Sequence, residues 1–433
     1  MPARVKLKVV PASRFSRQPL PVLKNRRIAA LFRSARSVFL LFLHAKLRLD
    51  ERLGTSGLAC ARPPFQSALK ELDPPAVNLK QLSQLLELSQ TTISRALNGY
   101  PEVSEQTRLK VVEAARKHGY NPNSNARKLA TGRAGSIGYV LPVGKNVDLD
   151  PHFVEFLSGM GEHALSREVD LSLTPAPYER ETEAYRRIAA SRSVDGVYLS
   201  SMRNDEKRIA LVRSLKIPFL AHGRALAPAD GYACVDIDNE GAFHAATQLL
   251  LQLGHRRLAY LNGDIDFTFA VHRLNGVTRA LKDYGLPAES LQHHSAAMNE
   301  DNGYRLAMTL FRDKDPSERP TGLLSASMFT TLGIVRALDQ LGLRMPDDVS
   351  IITHDDVFPF LKPESFSVPL TTTRSSIRAA GARICERLVD IISGVETEPV
   401  QEIWPVELIV RGTTGPVPAE RKRTRGRAAE AAE

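Results

Sequence analysis

The 433-residue chain is poor in cysteine, with three, and in tryptophan, with one. Cys60, Cys234 and Cys385 stand far apart, so they form neither a paired metal spacing nor an even-numbered disulfide framework. A reducing, cytoplasmic setting is expected. Long apolar runs are missing too: the longest, Val38 to Leu43, falls far short of the ~20 residues that a spanning helix needs. Leu47-Arg48-Leu49-Asp50-Glu51-Arg52 follows in place of a small-residue cleavage site, which argues against an export signal. There is no P-loop, no G-x-G-x-x-G after a strand, no G-x-S-x-G and no other nucleophile constellation. Phosphate-loop and hydrolase chemistry are not expected, nor is a cofactor or a metal.

Acidic charge is scarce at one end only. Residues 1–75 hold 15 Lys/Arg against 4 Asp/Glu, and residues 77–134 hold 9 against 4, whereas everything after 134 sums to −6. The net charge of +10 is therefore that of a basic module ahead of a mildly acidic body. Such a split suits nucleic-acid binding at one end and another task at the other. With 43% hydrophobic and 24% charged residues, the body is ordinary for a folded protein of two or three domains.

The first 75 residues are rich in Arg and Pro and show no sustained period. Two readings stay open. One is a basic arm that strengthens non-specific DNA attachment. The other, which is favoured, is a disordered extension or upstream sequence translated from an early start, although no Met lies between Met1 and Met160.

From Asn78 the pattern changes. Asn78 with Gln81 forms a capping-box arrangement ahead of Leu79, Leu82, Leu85 and Leu86 at helical spacing. Ser89 caps a second helix in which Ile93, Ala96 and Leu97 face inward while Gln90, Thr91, Ser94 and Arg95 face outward. Asn98-Gly99 ends it. Ser104 starts a third, apolar at Val111, Val112 and Ala115, running through His118 to Gly119. Two short helices in a tight turn, braced by a third, predict a helix-turn-helix. Thr and Ser are indifferent helix formers, so their density in the second helix points to a surface to be read. Glutamine amides and arginine guanidinium groups can pair with purine edges in the major groove of DNA. A solvated helical hairpin is the bland alternative.

SQTTISRALN, VSEQTR, GYNPN and TGRAGSIG follow one another here in order. On these motifs the chain resembles the LacI/GalR family of bacterial repressors from about Val77 to Gly412. The resemblance implies DNA contacts from Ser89, Gln90, Thr91, Thr92, Ser94, Arg95 and Asn98. It also implies a hinge helix at Asn123–Ala130, with Leu129 as a wedge into the minor groove and Ala126 at the contact between two hinges. Asn123 and Arg127 would touch the DNA; Arg127 and Lys128 suit phosphates better than bases. Eight residues are too few to hold a helix alone in water, so this segment should coil only against a partner. An apolar wedge then unstacks and kinks the duplex.

Beyond Gly135 apolar bursts alternate with amphipathic stretches. Strands are expected at 136–141, 194–199, 217–221, 258–262, 323–326 and 349–353, and helices at 154–166, 180–191, 240–253, 273–284, 302–312 and 329–341. Alternation of this sort predicts parallel sheets covered by helices, with a cleft beyond the strand ends. The resemblance implies a two-lobed sensor like the periplasmic sugar-binding proteins, crossed several times by the chain. It also implies a sugar or sugar-like effector held by Arg273 and Asp355, with His222 and Arg224 after a strand end and Ser327 at the position of a further family contact. Ser327-Met328 departs from the family's usual Asn-Asp, which removes an amide and a carboxylate from the cleft and points to a different effector. VNLKQLSQLLELSQTTISRALNGYPEV and WPVELIVRGT resemble a branch linked with α-glucosides. Trp404 is expected in core packing, His255 as a cap or bridge, and His293-His294 in a solvated loop.

The expected fold is thus an N-terminal all-α helix-turn-helix domain plus an α/β two-lobed, periplasmic-binding-protein-like sensor. Its boundaries are 1–75 (extension), 77–121 (DNA-binding), 122–134 (hinge and linker), 135–415 (ligand binding and dimerisation) and 416–433 (basic tail, read as disordered). The expected function is a ligand-responsive repressor bound to double-stranded operator DNA as a homodimer or a dimer of dimers, free of the membrane. Two rivals remain: a helix-turn-helix fused to a sugar-processing enzyme, which turnover of a sugar would reveal, and an exported sugar receptor, which requires an export signal and no operator.

Overall fold

A computed structural model describes residues 6–9, 77–97, 99–120, 132–144, 151–226 and 231–417. By its contacts the chain divides into two compact units, one of residues 11–130 and one of residues 1–10 with 131–433.

The smaller unit holds α1 (Leu79–Leu86), α2 (Gln90–Leu97) and α3 (Glu105–Lys117). Each start is set by a polar cap. Asn78 and Gln81 exchange backbone-to-side-chain hydrogen bonds at 2.8 and 3.0 Å, which completes the capping box. Ser89 accepts from the Thr92 amide at 3.0 Å, and Ser104 from the Thr107 amide at 3.3 Å. Leu82, Ile93, Ala96, Val103, Val111 and Ala115 close the core between the helices. Leu85 and Val112, expected inward, are instead 54% and 48% exposed. A core of six small and medium residues leaves no room for every apolar position on such short helices.

The larger unit contains two sheets. The strands, in chain order, are β1 (Lys6–Val9), β2 (Ser136–Pro142), β3 (Asp170–Ala176), β4 (Gly196–Leu199), β5 (Phe219–His222), β6 (Cys234–Ile237), β7 (Leu258–Asn262), β8 (Leu291–Ser295), β9 (Gly322–Ser325), β10 (Ser350–Asp355), β11 (Thr371–Arg374), β12 (Gln401–Trp404) and β13 (Glu407–Val410). The first lobe is a parallel six-stranded sheet in the order β12-β6-β5-β4-β2-β3. The second is a seven-stranded sheet, β1-β13-β11-β10-β9-β7-β8, parallel except where β11 meets β13. Within the first 75 residues, Lys6–Val9 departs from the expected lack of structure by pairing with β13.

The helices of this unit are α4 (Pro151–Ser166), α5 (Glu181–Ser191), α6 (Arg208–Ser214), α7 (Asn239–Gln252), α8 (Thr268–Asp283), α9 (Glu300–Phe311), α10 (Met328–Leu341) and α11 (Ile377–Ser393). Four apolar clusters, two per lobe, fill the layers between helices and sheets. Because helices cover both faces, the inner strands β4, β7 and β9 are buried throughout and read as apolar runs with no alternation. The chain passes between lobes three times: from β6 into α7, from β11 into α11, and from β12 to β13. Every strand of the first lobe points its C-terminal end towards the second, where a parallel α/β sheet offers its binding crevice.

Candidate functional site

In the helix-turn-helix unit the outward face of α2 shows Gln90, Thr91 and Arg95, all exposed, while Thr92 and Ser94 are half-buried. The Ser89 hydroxyl lies 2.8 Å from the Thr92 hydroxyl while it caps the helix, so it fixes the first turn that a groove would meet. Asn98, Asn123, Ala126, Arg127, Lys128 and Leu129 lie outside the described residues.

In the sensor the expected residues fall into a polar chain that follows the first interlobe crossing. Arg224, just past β5, donates through Nε to Asp236 Oδ2 at 2.8 Å. The other Asp236 oxygen accepts from the Ile237 amide at 2.8 Å and from Asn239 Nδ2 at 3.2 Å. Asn239 Oδ1 in turn accepts from Arg273 Nε at 2.8 Å, and Arg273 Nη1 donates to the Ala326 carbonyl at 2.8 Å. Arg273 is 5% exposed and its guanidinium carbon lies 5.1 Å from the ring centres of both Phe243 and Phe269. Burial lowers its pKa, yet a guanidinium stays charged far above neutrality. Arg224 and Arg273 are therefore joined, one from each lobe, through Asp236 and Asn239.

Asp236 and Asn239 were not singled out in the sequence. The signal was present, since CVDI places a carboxylate in an otherwise apolar buried strand, where an ionised group persists only if it is paired. His222 closes this side. Its ring stacks on Phe156 with centroids 4.8 Å apart, and burial holds its pKa below the usual value, so it is neutral at pH 7.

Two expected residues are placed differently. The Ser327 hydroxyl is fully buried and caps α10, accepting from the Thr330 amide at 3.2 Å, so it is spent within its own lobe. Asp355 is 1% exposed, accepts from the Val357 amide at 2.8 Å and lies 3.5 Å from Arg374 Nε. Burial raises its carboxyl to about 6. Its neighbour Asp356 is the carboxylate that spans the lobes: Oδ2 is 3.0 Å from His152 Nε2 on α4, and Oδ1 is 3.4 Å from His354 Nε2. Burial alone would raise the Asp356 pKa, but the two imidazoles hold it well below the usual carboxylate range. A side chain reverses direction between neighbours on a strand end, so HDDV alone could not say which Asp faces the cleft.

His255, His293, His294 and Trp404 make contacts within the fold. His255 bridges Thr321 Oγ1 and the Gly415 carbonyl, each at 3.1 Å, as expected. His293 and His294 lie on the edge strand β8 and not in a loop; His293 Nε2 is 3.3 Å from Asn262 Nδ2. Trp404 packs against the first lobe and also lines a cavity of about 430 Å³ at the second and third crossings, with Arg374, Ser375 and Glu407. Among the described residues no helix is long and apolar enough to cross a membrane. The site therefore offers alternating donors and acceptors beside aromatic rings, which suits a polyhydroxylated molecule better than an apolar one.

Residues 80–123 match the family described as bacterial regulatory proteins, lacI family, and residues 247–414 match the periplasmic binding protein-like domain. The HTH-type transcriptional regulator AglR of Rhizobium meliloti (strain 1021) is 50% identical over 342 residues, 79% of this chain and 95% of that protein. CelR of Thermobifida fusca, also an HTH-type transcriptional regulator, is 30% identical over 335 residues, 77% of this chain and 97% of its own length. Among solved structures, a transcriptional regulator CelR–cellobiose complex superposes with a TM-score of 0.57 at 28% identity, covering 78% of this chain and 100% of that one. The Lac repressor dimer bound to operator and the anti-inducer ONPF shares the fold, with a TM-score of 0.66 at 23% identity over 78% of this chain and 99% of its own. The expected fold, a helix-turn-helix unit with a two-lobed sensor, is thus met in both its parts, and with half of the 342 aligned residues identical to AglR the chain belongs to the LacI family of bacterial transcriptional regulators.

Proposed function

We infer that this regulator represses carbohydrate-utilisation genes and that a small sugar, an α-glucoside by preference, controls it from the cleft between the lobes. The observation that carries this reading is the polar chain Arg224–Asp236–Asn239–Arg273, set along an interlobe crossing and flanked by Phe243 and Phe269. Guanidinium donors and a carboxylate acceptor match the vicinal hydroxyls of a sugar ring, and the aromatic faces match its C–H surface. The CelR–cellobiose complex supports the ligand class.

On DNA, Gln90, Thr91 and Arg95 read base edges, with Ser89, Thr92, Ser94 and Asn98 as further DNA contacts, and the Ser89 cap on the Thr92 amide orders the first turn of the reading helix. Asn123, Ala126, Arg127 and Leu129 act in the hinge. Two copies of the chain read a pseudo-palindrome. The effector changes the angle between lobes, which alters the spacing of the paired hinges and so the free energy of folding them on the operator. Coupling of this kind is typically ~1–3 kcal/mol and is reciprocal, so operator binding shifts effector binding equally.

The chain acts without turnover. The described cysteines are poor nucleophiles, because burial pushes the Cys234 thiol up to about 12 and the Cys385 thiol to about 11. A thermal-shift screen with mono- and disaccharides, followed by fluorescence anisotropy on a DNA duplex from the chain's own promoter, tests the whole reading. A sugar that stabilises the protein must also change its affinity for that duplex. Stabilisation with unchanged DNA binding refutes the regulatory link, and turnover of the sugar revives the enzyme reading.

A further inference from the structure

His152 lies in the first turn of α4, in the first lobe, yet its polar partner is Asp356 in the second. The contact is enclosed: the side chains of His152 and Asp356 are 14% and 11% exposed. The imidazole also meets Phe329 and Phe358 edge-on, with ring centroids 5.6 and 5.0 Å away. Phe329 is on α10 and Phe358 follows β10, so both rings belong to the second lobe. A side chain of one lobe is thus seated in a polar and aromatic socket of the other.

That socket adjoins the effector groups already described. Phe243, whose ring centre lies 5.1 Å from the Arg273 guanidinium, is 6.4 Å ring to ring from His354, the second partner of Asp356. His354 beside it is held in turn by Thr373 Oγ1 at 2.9 Å and Ser375 Oγ at 3.1 Å. One Asp356 oxygen faces His152 and the other faces His354, so each carboxylate oxygen has an imidazole partner. A carboxylate in such a setting, flanked by Phe329 and Phe358, is the partner that a sugar hydroxyl would seek. The imidazole already occupies it.

We propose that His152 is an internal stand-in for the effector: its ring latches the two lobes together through Asp356, and the effector must displace it to bind. The residue thereby sets the concentration at which the regulator responds. This rests on the reading of the cleft as the effector site. It differs from a direct contact, because removing a competing group tightens binding whereas removing a ligand contact weakens it. Backbone bonds also join the lobes: the Asn204 amide donates to the Asp266 carbonyl at 3.1 Å and the Thr268 amide to the Met202 carbonyl at 2.9 Å. Those two amides report opening without any ligand.

The test uses the full chain with His152→Ala, and with His152→Asn as a variant that keeps a shorter donor. Amide exchange is followed at Asn204 and Thr268, with β7 amides as the control for an intact fold. Calorimetric titration uses maltose, sucrose, trehalose and cellobiose. A hydrogen bond to a charged group contributes roughly 1.5–3 kcal/mol, so its loss should speed exchange at both amides about tenfold or more. For whichever sugar binds the parent protein, Kd should fall about tenfold in His152→Ala. Unchanged exchange in both variants, with β7 still protected, overturns the latch. Weaker sugar binding overturns the competition, since His152 would then touch the sugar itself. If none of the four sugars binds either protein while exchange accelerates, the latch stands and the sugar reading of the cleft falls.

Discussion

Gly159 of α4 and Arg378 of α11 are in backbone contact: a Cβ added at Gly159 would fall on the Arg378 carbonyl oxygen. Gly381 repeats the approach one turn along α11, against the Phe156 carbonyl. The two helices therefore cross with no side chain between them. Arg378 also ties the pair together through Glu155 at 2.8 Å and through Glu162. Since the contact is backbone, it cannot yield by a rotamer change. Gly159→Ala should destabilise the sensor by about 3 kcal/mol, the upper part of the usual overpacking range, and a denaturant titration checks it. Gly161→Ala, one residue away from Met160 and with nothing near its Cβ, should be neutral or slightly stabilising.

Arg273 holds two buried acceptors, Asn239 Oδ1 and the Ala326 carbonyl, and both residues are almost inaccessible. Arg273→Ala strands them and should lower stability by roughly 3 kcal/mol. The sugar response should vanish while DNA binding persists, because the helix-turn-helix core is built from other residues. Operator binding that still answers to the sugar would remove Arg273 from the effector site.

A pH effect follows from Asp355. Burial raises its carboxyl from 3.8 to about 6, so between those values the folded chain holds a proton that the unfolded chain has released. Stability from this group is then greatest below about pH 4 and is lost as pH rises through about 6. The full loss is on the order of 3 kcal/mol, about two pKa units at 1.36 kcal/mol each. Asp355→Asn keeps an acceptor for the Val357 amide and has no proton to lose. The variant should gain on the parent across this interval in urea midpoints compared at pH 4 and pH 7. A constant difference between the two proteins would show that the carboxyl titrates normally.

Leu129→Ala removes the proposed wedge at the minor groove. DNA bending and operator affinity should both fall, with sugar binding by the same protein unchanged. Gel phasing measures the bend; equal bending by variant and parent would refute the wedge.

Much of this arrangement was legible because apolar bursts of four to six residues have few alternatives in an α/β chain. SIGYVL, LAYLN and VSIIT each became a strand within two residues of the expected bounds. The caps were legible for a similar reason, since Asn78, Ser89 and Ser104 each had an amide to satisfy. What escaped was polar or short. β8 (LQHHS) and β11 (TTTR) are strands without the apolar signal, held by their neighbours in the sheet and not by propensity. At the candidate site, Arg224 and Arg273 were named through the family resemblance, and both take part in the polar chain. Asp356 and His152 were not, because a contact across 204 residues of sequence depends on how two lobes close.

Three passages between lobes have a consequence for how the molecule is made. The six-stranded sheet takes its outer strand, β12, and its long helix, α11, from residues 377–404, after most of the other lobe has already been synthesised. A growing chain on the ribosome therefore completes its DNA-reading head early and its effector cleft only near the end. On the proposed function, a product cut short before residue 377 would keep the reading head but lack the strand and helix that complete the first lobe, so it should bind DNA without answering to an effector.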